Sequence, residues 1–279
     1  MTPTALVATD LDRTMIYSRN AFGGAEAVAK VCVEHYEGEP LSYMTVTAVE
    51  RLRALTEAAA VVPTTTRTIE QFQRIALPGA PWRYAITSNG GNILVDGVAD
   101  PLWRAGIDAQ VRASGATLAE VGAELRARID ESWVTKYREA DELFCYLVVR
   151  PEAVPTGFLA EWDAWCRANG WSASQQGRKI YAMPDAVCKS IAVAEVRARL
   201  LEAGELATGA GTFAAGDGAL DAEMLRAADT AVRPRHGELE ELAFTAPNLT
   251  VTTAAGILAG EEILEWFHAA AARPVTASA

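Results

Sequence analysis

The chain has 279 residues, half of them hydrophobic, enough for a sizeable core and for more than one average domain. Its net charge of −11 excludes nucleic acid as the main partner, because phosphate backbones require a basic face. No apolar run nears the roughly eighteen residues of a membrane-spanning helix, and the first residues lack the basic start of a signal peptide, so a cytoplasmic protein without a membrane partner is expected.

In chain order, residues 5–9 read as a short buried strand that runs into an acidic turn. Residues 28–45 read as a hairpin around Glu37-Gly38-Glu39-Pro40. Thr47 and Glu50 have the spacing of a capping box for a helix to about residue 59. A second strand begins at Val61-Val62 and ends in Pro63-Thr64-Thr65-Thr66-Arg67, with a helix expected over 68–77 and Thr66 as its candidate cap. A third strand over 84–87 ends in Ser88-Asn89-Gly90-Gly91. Residues 105–130 read as helical with a break at Ser114-Gly115, 144–149 as a strand, 158–168 as an amphipathic helix and 178–183 as a strand.

A helix is expected from Lys189 to about Ala203. Strands follow over 212–215, 230–232 and 249–252, and a last helix over 261–271 precedes a tail, 274–279, that reads as disordered. Strands alternating with helices indicate an α/β fold with a parallel sheet. The middle block, 98–184, has a different rhythm and reads as an inserted α+β module, which leaves 1–97 and 185–279 as the core domain. Cys32, Cys145, Cys166 and Cys188 are scattered without a CxxC pair, so they read as reduced core residues and no zinc site is expected. Trp103, Trp133, Trp162, Trp165 and Trp171 read as core of the inserted module rather than as a sugar-stacking platform.

Four short motifs carry candidate chemistry. Asp10-Leu11-Asp12-Arg13-Thr14 follows the first strand, where a parallel sheet gathers its ligands. Alternate residues of an extended segment point the same way, so Asp10 and Asp12 can face one pocket and divide labour as nucleophile and proton carrier. Standing alone, such a pair more often marks an acidic turn or a helix cap. Thr65-Thr66-Arg67 offers hydroxyls to a phosphoryl oxygen, or a helix cap. Lys189 opens a helix, where a lysine opposes the dipole unless ammonium and helix end both face an anion. Gly216-Asp217-Gly218-Ala219-Leu220-Asp221 places two carboxylates about a tight turn, and oxygen ligands of this kind suit Mg²⁺.

Together and in this order, DLDRT, TTTR, Lys189 and GDGALD resemble the haloacid dehalogenase (HAD) superfamily of phosphohydrolases, whose pattern is DxDx(T/V), Ser/Thr, Lys and GDxxxD. The resemblance covers nearly the whole chain. Ser88-Asn89-Gly90-Gly91, Met183-Pro184, Asp221-Ala222-Glu223-Met224-Leu225 and the segment 253–258 look like the Cof-type and sucrose-phosphatase-like branch, whose large C2-type cap matches the inserted block in position.

The resemblance implies a Rossmann-like core with an α+β C2-type cap. It implies a Mg²⁺-dependent phosphatase of a small phosphorylated metabolite, such as a sugar phosphate, acting through an aspartyl-phosphate on Asp10. Asp12 is then the general acid and base. The metal falls to Asp10, the Asp12 carbonyl, Asp217 and Asp221. The phosphoryl group falls to Asp10, Leu11, Asp12, Thr65, Thr66 and Lys189. Arg67, Asn89, Arg178 and Lys179 are candidate substrate contacts, with Lys136 and Arg138 behind the last two. A monomer or a homodimer is equally compatible.

Three features depart from the family's pattern. Arg13 stands where the family usually has glycine and is expected to contact substrate or, by preference, to point to solvent. Leu220 stands where the branch usually has asparagine, and the metal site is expected to survive the change. The hairpin over 28–45 is longer than usual and would add to a lid or mediate a dimer. The competing readings are a phosphomutase of the same superfamily, a non-catalytic phosphate-binding regulatory module, and a Mn²⁺-dependent glycosyltransferase with a DxD motif. The last leaves Lys189 and the GDGALD turn unexplained.

Overall fold

The computed structural model describes residues 2–272, so the tail at 274–279 lies outside the described residues. The chain divides into two compact units, one running to Ala99 and resuming at Lys189, the other Asp100–Cys188.

The first unit opens on β1 (Ala5–Thr9), whose five residues are all buried, as in a strand covered on both faces. The hairpin follows as β2 (Lys30–Tyr36) and β3 (Glu39–Thr45). β3 runs directly into α1 (Val46–Ala58). The cap is Thr45, which keeps extended dihedrals and accepts from the Ala48 amide at 3.0 Å. The box expected from Thr47 and Glu50 does not form, because both already lie inside the helix.

Next come β4 (Ala60–Pro63) and α2 (Ile69–Gln73). Thr68, not Thr66, caps α2, and Gln71 returns the bond. The helix stops well short of residue 77 because the chain after it joins β2 instead: Ile75 bridges Glu34, and the Ala76 amide donates to Val33 O at 2.7 Å. β5 (Tyr84–Thr87), β6 (Asn92–Val95) and β7 (Val98–Ala99) form an antiparallel sheet, where the sequence suggested a single strand. β5 meets the end of β4 through one parallel bridge, Thr64 to Ile86.

The second unit contains α3 (Pro101–Ser114), α4 (Leu118–Arg126), β8 (Val134–Ala140), β9 (Phe144–Val149), α5 (Phe158–Ala168), β10 (Trp171–Gln176) and β11 (Lys179–Pro184). Its described strands form one antiparallel sheet, ordered β10-β11-β9-β8. Two of these strands escaped the sequence reading. β8 carries Lys136, Arg138 and Glu139 and has one buried residue, while β10 reads Trp-Ser-Ala-Ser-Gln-Gln. Neither shows the apolar alternation that identifies a half-buried strand. Trp133, Trp162 and Trp171 are buried, and Trp162 stacks on Trp165.

The chain returns to the first unit with α6 (Lys189–Glu202), β12 (Gly211–Ala215), α7 (Ala222–Ala227), β13 (Thr230–Arg233), α8 (Glu238–Glu241), β14 (Leu249–Val251) and α9 (Ile257–Ala271). α9 begins a turn earlier than expected, at Ile257. Among the described residues one parallel sheet runs β14-β13-β12-β1-β4. Ala5 and Val7 of β1 join Phe213 and Ala215 of β12 in one core with Leu52 and Leu55 of α1 and Ile263, Leu264 and Phe267 of α9. Leu6, Ala8 and Ala214 alternate to the opposite face and are buried too.

The topology decides where a ligand can bind. From β1 the chain moves to β4 on one side and later returns to β12 on the other. The order reverses between β1 and β12, and a crevice opens beyond the carboxyl ends of strands at such a point. Thr9 and Ala215 pair at that edge, so Asp10 and Gly216-Asp217 emerge side by side.

Candidate active site

Asp10 leaves β1 with its amide donating to Ala215 O at 2.9 Å. Lys189, the first residue of α6, reaches the same place. Its ammonium donates to Asp10 Oδ1 at 2.6 Å and to Asp221 Oδ1 at 2.5 Å, and all three side chains are buried. The Gly218 amide donates to Asp221 Oδ2 at 2.9 Å. Oxygens of Asp10, Asp217 and Asp221 lie within 4.8 Å of one another.

Two glycines make the crowding possible. A Cβ on Gly216 would sit 2.4 Å from Asp221 Cγ. A Cβ on Gly237 would sit 2.5 Å from Asp217 Oδ2, and its φ of 89° is the left-handed conformation that glycine adopts freely.

Three carboxylates share one buried ammonium, and Arg13 at the rim adds only a partial counter-charge, so the cluster is short of positive charge. Burial pushes the Asp10 carboxyl up to about 7, Asp221 and Asp12 push the same way, and Lys189 opposes them. Burial, with Asp10 and Asp221 behind it, also holds the Asp217 carboxyl well above the usual range. Burial alone would lower the Lys189 ammonium, but Asp10 and Asp221 hold it above its ordinary value. Asp10 Oδ2 is buried and has no hydrogen-bond partner among the described residues. This donor set of oxygens, deficient in positive charge, fits a hard divalent cation such as Mg²⁺.

Arg13 does not point simply to solvent. It holds a φ of 61°, an uncommon conformation for a residue with a side chain, and its Nε lies 3.6 Å from Asp217 Oδ2. The Arg13 side chain is 38% exposed while its Nε is buried, so it is a partial counter-ion at the rim. His236 fixes the backbone beneath it. The His236 Nδ1 accepts from the Gly256 amide at 3.1 Å, so Nε2 carries the hydrogen and donates to Arg13 O at 2.8 Å. Burial keeps the imidazole below its usual pKa, in line with this neutral form.

Asp12 lies apart from the cluster. Its carboxylate is 42% exposed and paired bidentately with Arg67, Nε to Oδ2 at 2.7 Å and Nη2 to Oδ1 at 2.8 Å. Arg67 Nη1 donates to Glu34 Oε1 at 2.7 Å. Glu34, on β2, escaped the sequence reading, because a glutamate beside Val33 in a strand reads as the outward-facing neighbour.

Thr65 is buried, and its hydroxyl accepts from the Arg67 amide at 3.2 Å, which leaves its own O–H for donation. Thr66 is half-buried beside it. The Asn89 amide donates to Thr65 O at 2.9 Å and the Ser88 amide to Arg67 O at 2.7 Å. Those bonds hold the Ser88-Asn89-Gly90 turn, with three successive positive φ angles, against the second motif. Leu11 packs its side chain in the core, and its carbonyl accepts from the amides of Thr14, Met15 and Ile16.

The structure therefore brings Asp10, Lys189, Asp217 and Asp221 together, and links Thr65 and Asp12 through Arg67. Arg178 and Lys179 belong to the second unit. Arg178 precedes β11 rather than lying within it, and Lys179 stands over the rings of Tyr146 and Tyr181, 5.4 and 5.9 Å from their centroids.

No protein-family model matches the sequence, and no curated protein matches it. Solved structures do. The sucrose-phosphatase of Synechocystis sp. PCC6803, solved with sucrose and phosphate, is 14% identical, with 95% of this chain and 98% of that one covered at a TM-score of 0.63. A subclass IIB sugar phosphatase of the HAD superfamily is 12% identical over 96% and 99% of the two chains, at 0.58. A HAD-superfamily phosphatase from Bacteroides thetaiotaomicron is 14% identical over 95% of each chain, at 0.51. At such identities the similarity establishes the fold.

Proposed function

From a chain that has the fold of HAD-superfamily phosphatases, we infer a phosphoric monoester hydrolase that acts on a small phosphorylated metabolite through a phospho-aspartate on Asp10. One observation carries this reading: a buried carboxylate, Asp10, shares an ammonium with Asp221 at the reversal point of the sheet, beside Asp217. The sugar phosphatases among its structural neighbours support a sugar phosphate or a related monoester as substrate.

Phosphate monoesters resist hydrolysis, so the site must place a nucleophile in line and neutralise charge. Asp10 attacks phosphorus; the bond to the ester oxygen breaks as the acyl phosphate forms. In its protonated form Asp12 gives a proton to the departing oxygen, and the proton it then takes from the attacking water restores that form, returning Asp10 as carboxylate and releasing phosphate. Lys189 keeps Asp10 oriented and offsets charge on the transferring group. The Thr65 hydroxyl donates to that group. A divalent cation such as Mg²⁺, held by Asp10, Asp217 and Asp221 with the Asp12 carbonyl, would lower the repulsion between anionic nucleophile and anionic substrate when bound. Discrimination between leaving groups is assigned to the second unit on its likeness in chain position to the family's cap.

The test is phosphate release from a panel of phosphorylated metabolites and p-nitrophenyl phosphate, with Mg²⁺ and with chelator. Metal-dependent release that disappears in Asp10→Asn supports the reading. Release that persists in Asp10→Asn refutes it.

A further inference from the structure

Arg67 does more than pair with Asp12. It spends Nε and Nη2 on that carboxylate and Nη1 on Glu34, which comes from the hairpin rather than from any of the four motifs. The Glu34 side chain is fully buried. A buried carboxylate is costly unless it is paired and hydrogen-bonded. Here Oε2 accepts from Ser42 Oγ at 2.6 Å, Oε1 accepts from Arg67 at 2.7 Å, and Arg74 Nε lies 3.6 Å from Oε1. Arg74 lies against both Glu34 and Glu70, so every carboxylate of the group faces a guanidinium.

The backbone is shaped to put Glu34 there. In a regular strand Glu34 would face away from Val33, yet both are buried. The pairing of β2 with β3 is irregular on both sides of Glu34. Irregularities of this kind re-aim side chains and gather near functional sites. The hairpin is also tied at two points. Tyr17 and Tyr43 exchange backbone hydrogen bonds of 2.9 Å, which fasten β3 to the loop after Asp10 and Asp12. The Ala76–Val33 bond fastens β2 behind α2.

We infer that Glu34 is a positioning residue for phosphoryl transfer: a carboxylate of the hairpin that fixes Arg67, so that Arg67 presents Asp12 to the leaving-group oxygen. This rests on the phosphatase reading above. A guanidinium held only by the half-exposed Asp12 could swing with it; a buried second anchor removes that freedom. The hairpin is then neither a lid nor a dimer contact in this role, but the fixed mount of the proton carrier.

The consequence appears in the leaving group. A sugar or glycerol alkoxide needs a proton as it departs, whereas p-nitrophenolate leaves readily without one. The test compares kcat/KM, which covers only the steps to the phospho-enzyme, for glucose 6-phosphate, fructose 6-phosphate and glycerol 2-phosphate against p-nitrophenyl phosphate. Glu34→Gln should lower the alkyl values by about 10- to 100-fold and the aryl value by less than about threefold. In an Asp12→Asn background the selective loss should vanish, because the residue acted upon is gone. If melting shows that Glu34→Gln does not fold, Glu34→Asp, which keeps the charge, is judged by the same two criteria.

An equal loss on both substrate types, or a selective loss that persists without Asp12, overturns the inference while leaving the phosphatase reading intact. Failure of the wild-type protein to release phosphate from these compounds and from the whole metabolite panel overturns both.

Discussion

Two charged clusters lie at the edge of the same sheet, and they are built on opposite plans. Around Asp10 three buried carboxylates share one ammonium, and burial drives the Asp10 and Asp217 carboxyls upward. Around Asp12 the carboxylates of Asp12, Glu34 and Glu70 face the guanidinium groups of Arg67 and Arg74, and the Asp12 side chain stays half-exposed. The first cluster lacks positive charge and is suited to accept a cation and a phosphoryl group. In the second each carboxylate is met by a guanidinium, an arrangement suited to hold one carboxyl in place. Their contrast teaches that two aspartates two residues apart can be given different surroundings, and on the proposed mechanism different work.

The largest expected effect falls on the first cluster. Asp10→Asn should lower phosphate release on the order of 10⁴-fold or more, since the proposed nucleophile is lost. A residual rate near the wild-type value would erase the distinction between the clusters. Asp12→Asn should lower turnover of alkyl phosphates by at least about 100-fold, within the range of general acid–base groups. Near-normal turnover would reduce Asp12 to a partner of Arg67.

Arg13→Gly sharpens the contrast by removing the guanidinium that lies 3.6 Å from Asp217. Mg²⁺ should bind about fivefold more tightly by calorimetry, because the rim guanidinium competes for the buried Asp217 carboxylate with on the order of 1 kcal/mol. Weaker binding would make Arg13 part of the ion's support rather than its rival.

The pH dependence follows from Asp10. Its folded pKa is raised to about 7 from 3.8, so the metal-free fold binds a proton that the unfolded chain releases. That group's contribution to stability is therefore present at low pH and is lost as pH rises from about 4 to about 7. On the proposed reading a cation takes the proton's place, so the rise in Tm produced by Mg²⁺ should be larger at pH 8 than at pH 5. An equal rise at both would show that the ion does not neutralise this cluster.

The strands that carry the motifs were legible because they are buried on both faces and read as unbroken apolar runs, as in Ala5-Leu6-Val7-Ala8. The motifs stood out because polar groups cluster where those runs stop. β8 and β10 were hidden, because their composition is polar and antiparallel pairing with β9 and β11 overrides it. The cap at Thr45 was hidden for a different reason. Thr45 and Thr47 are equally good caps in isolation, and only the end of β3 decides between them. Glu34 was the deepest omission. Its inward turn depends on irregular pairing within the hairpin, and its partner Arg67 is thirty-three residues away. Arg13 was flagged as a departure, but its direction follows from a left-handed backbone fixed by His236, which no local pattern announces.

The most direct measurement uses Asp12→Asn with p-nitrophenyl phosphate and Mg²⁺, quenched in acid and read by peptide mass spectrometry. The good leaving group lets the first step proceed, and loss of the proton carrier slows the second. One phosphoryl group should accumulate on the peptide that contains Asp10. Release of p-nitrophenol with that peptide unmodified, or with the phosphoryl group on another residue, would contradict a nucleophilic Asp10.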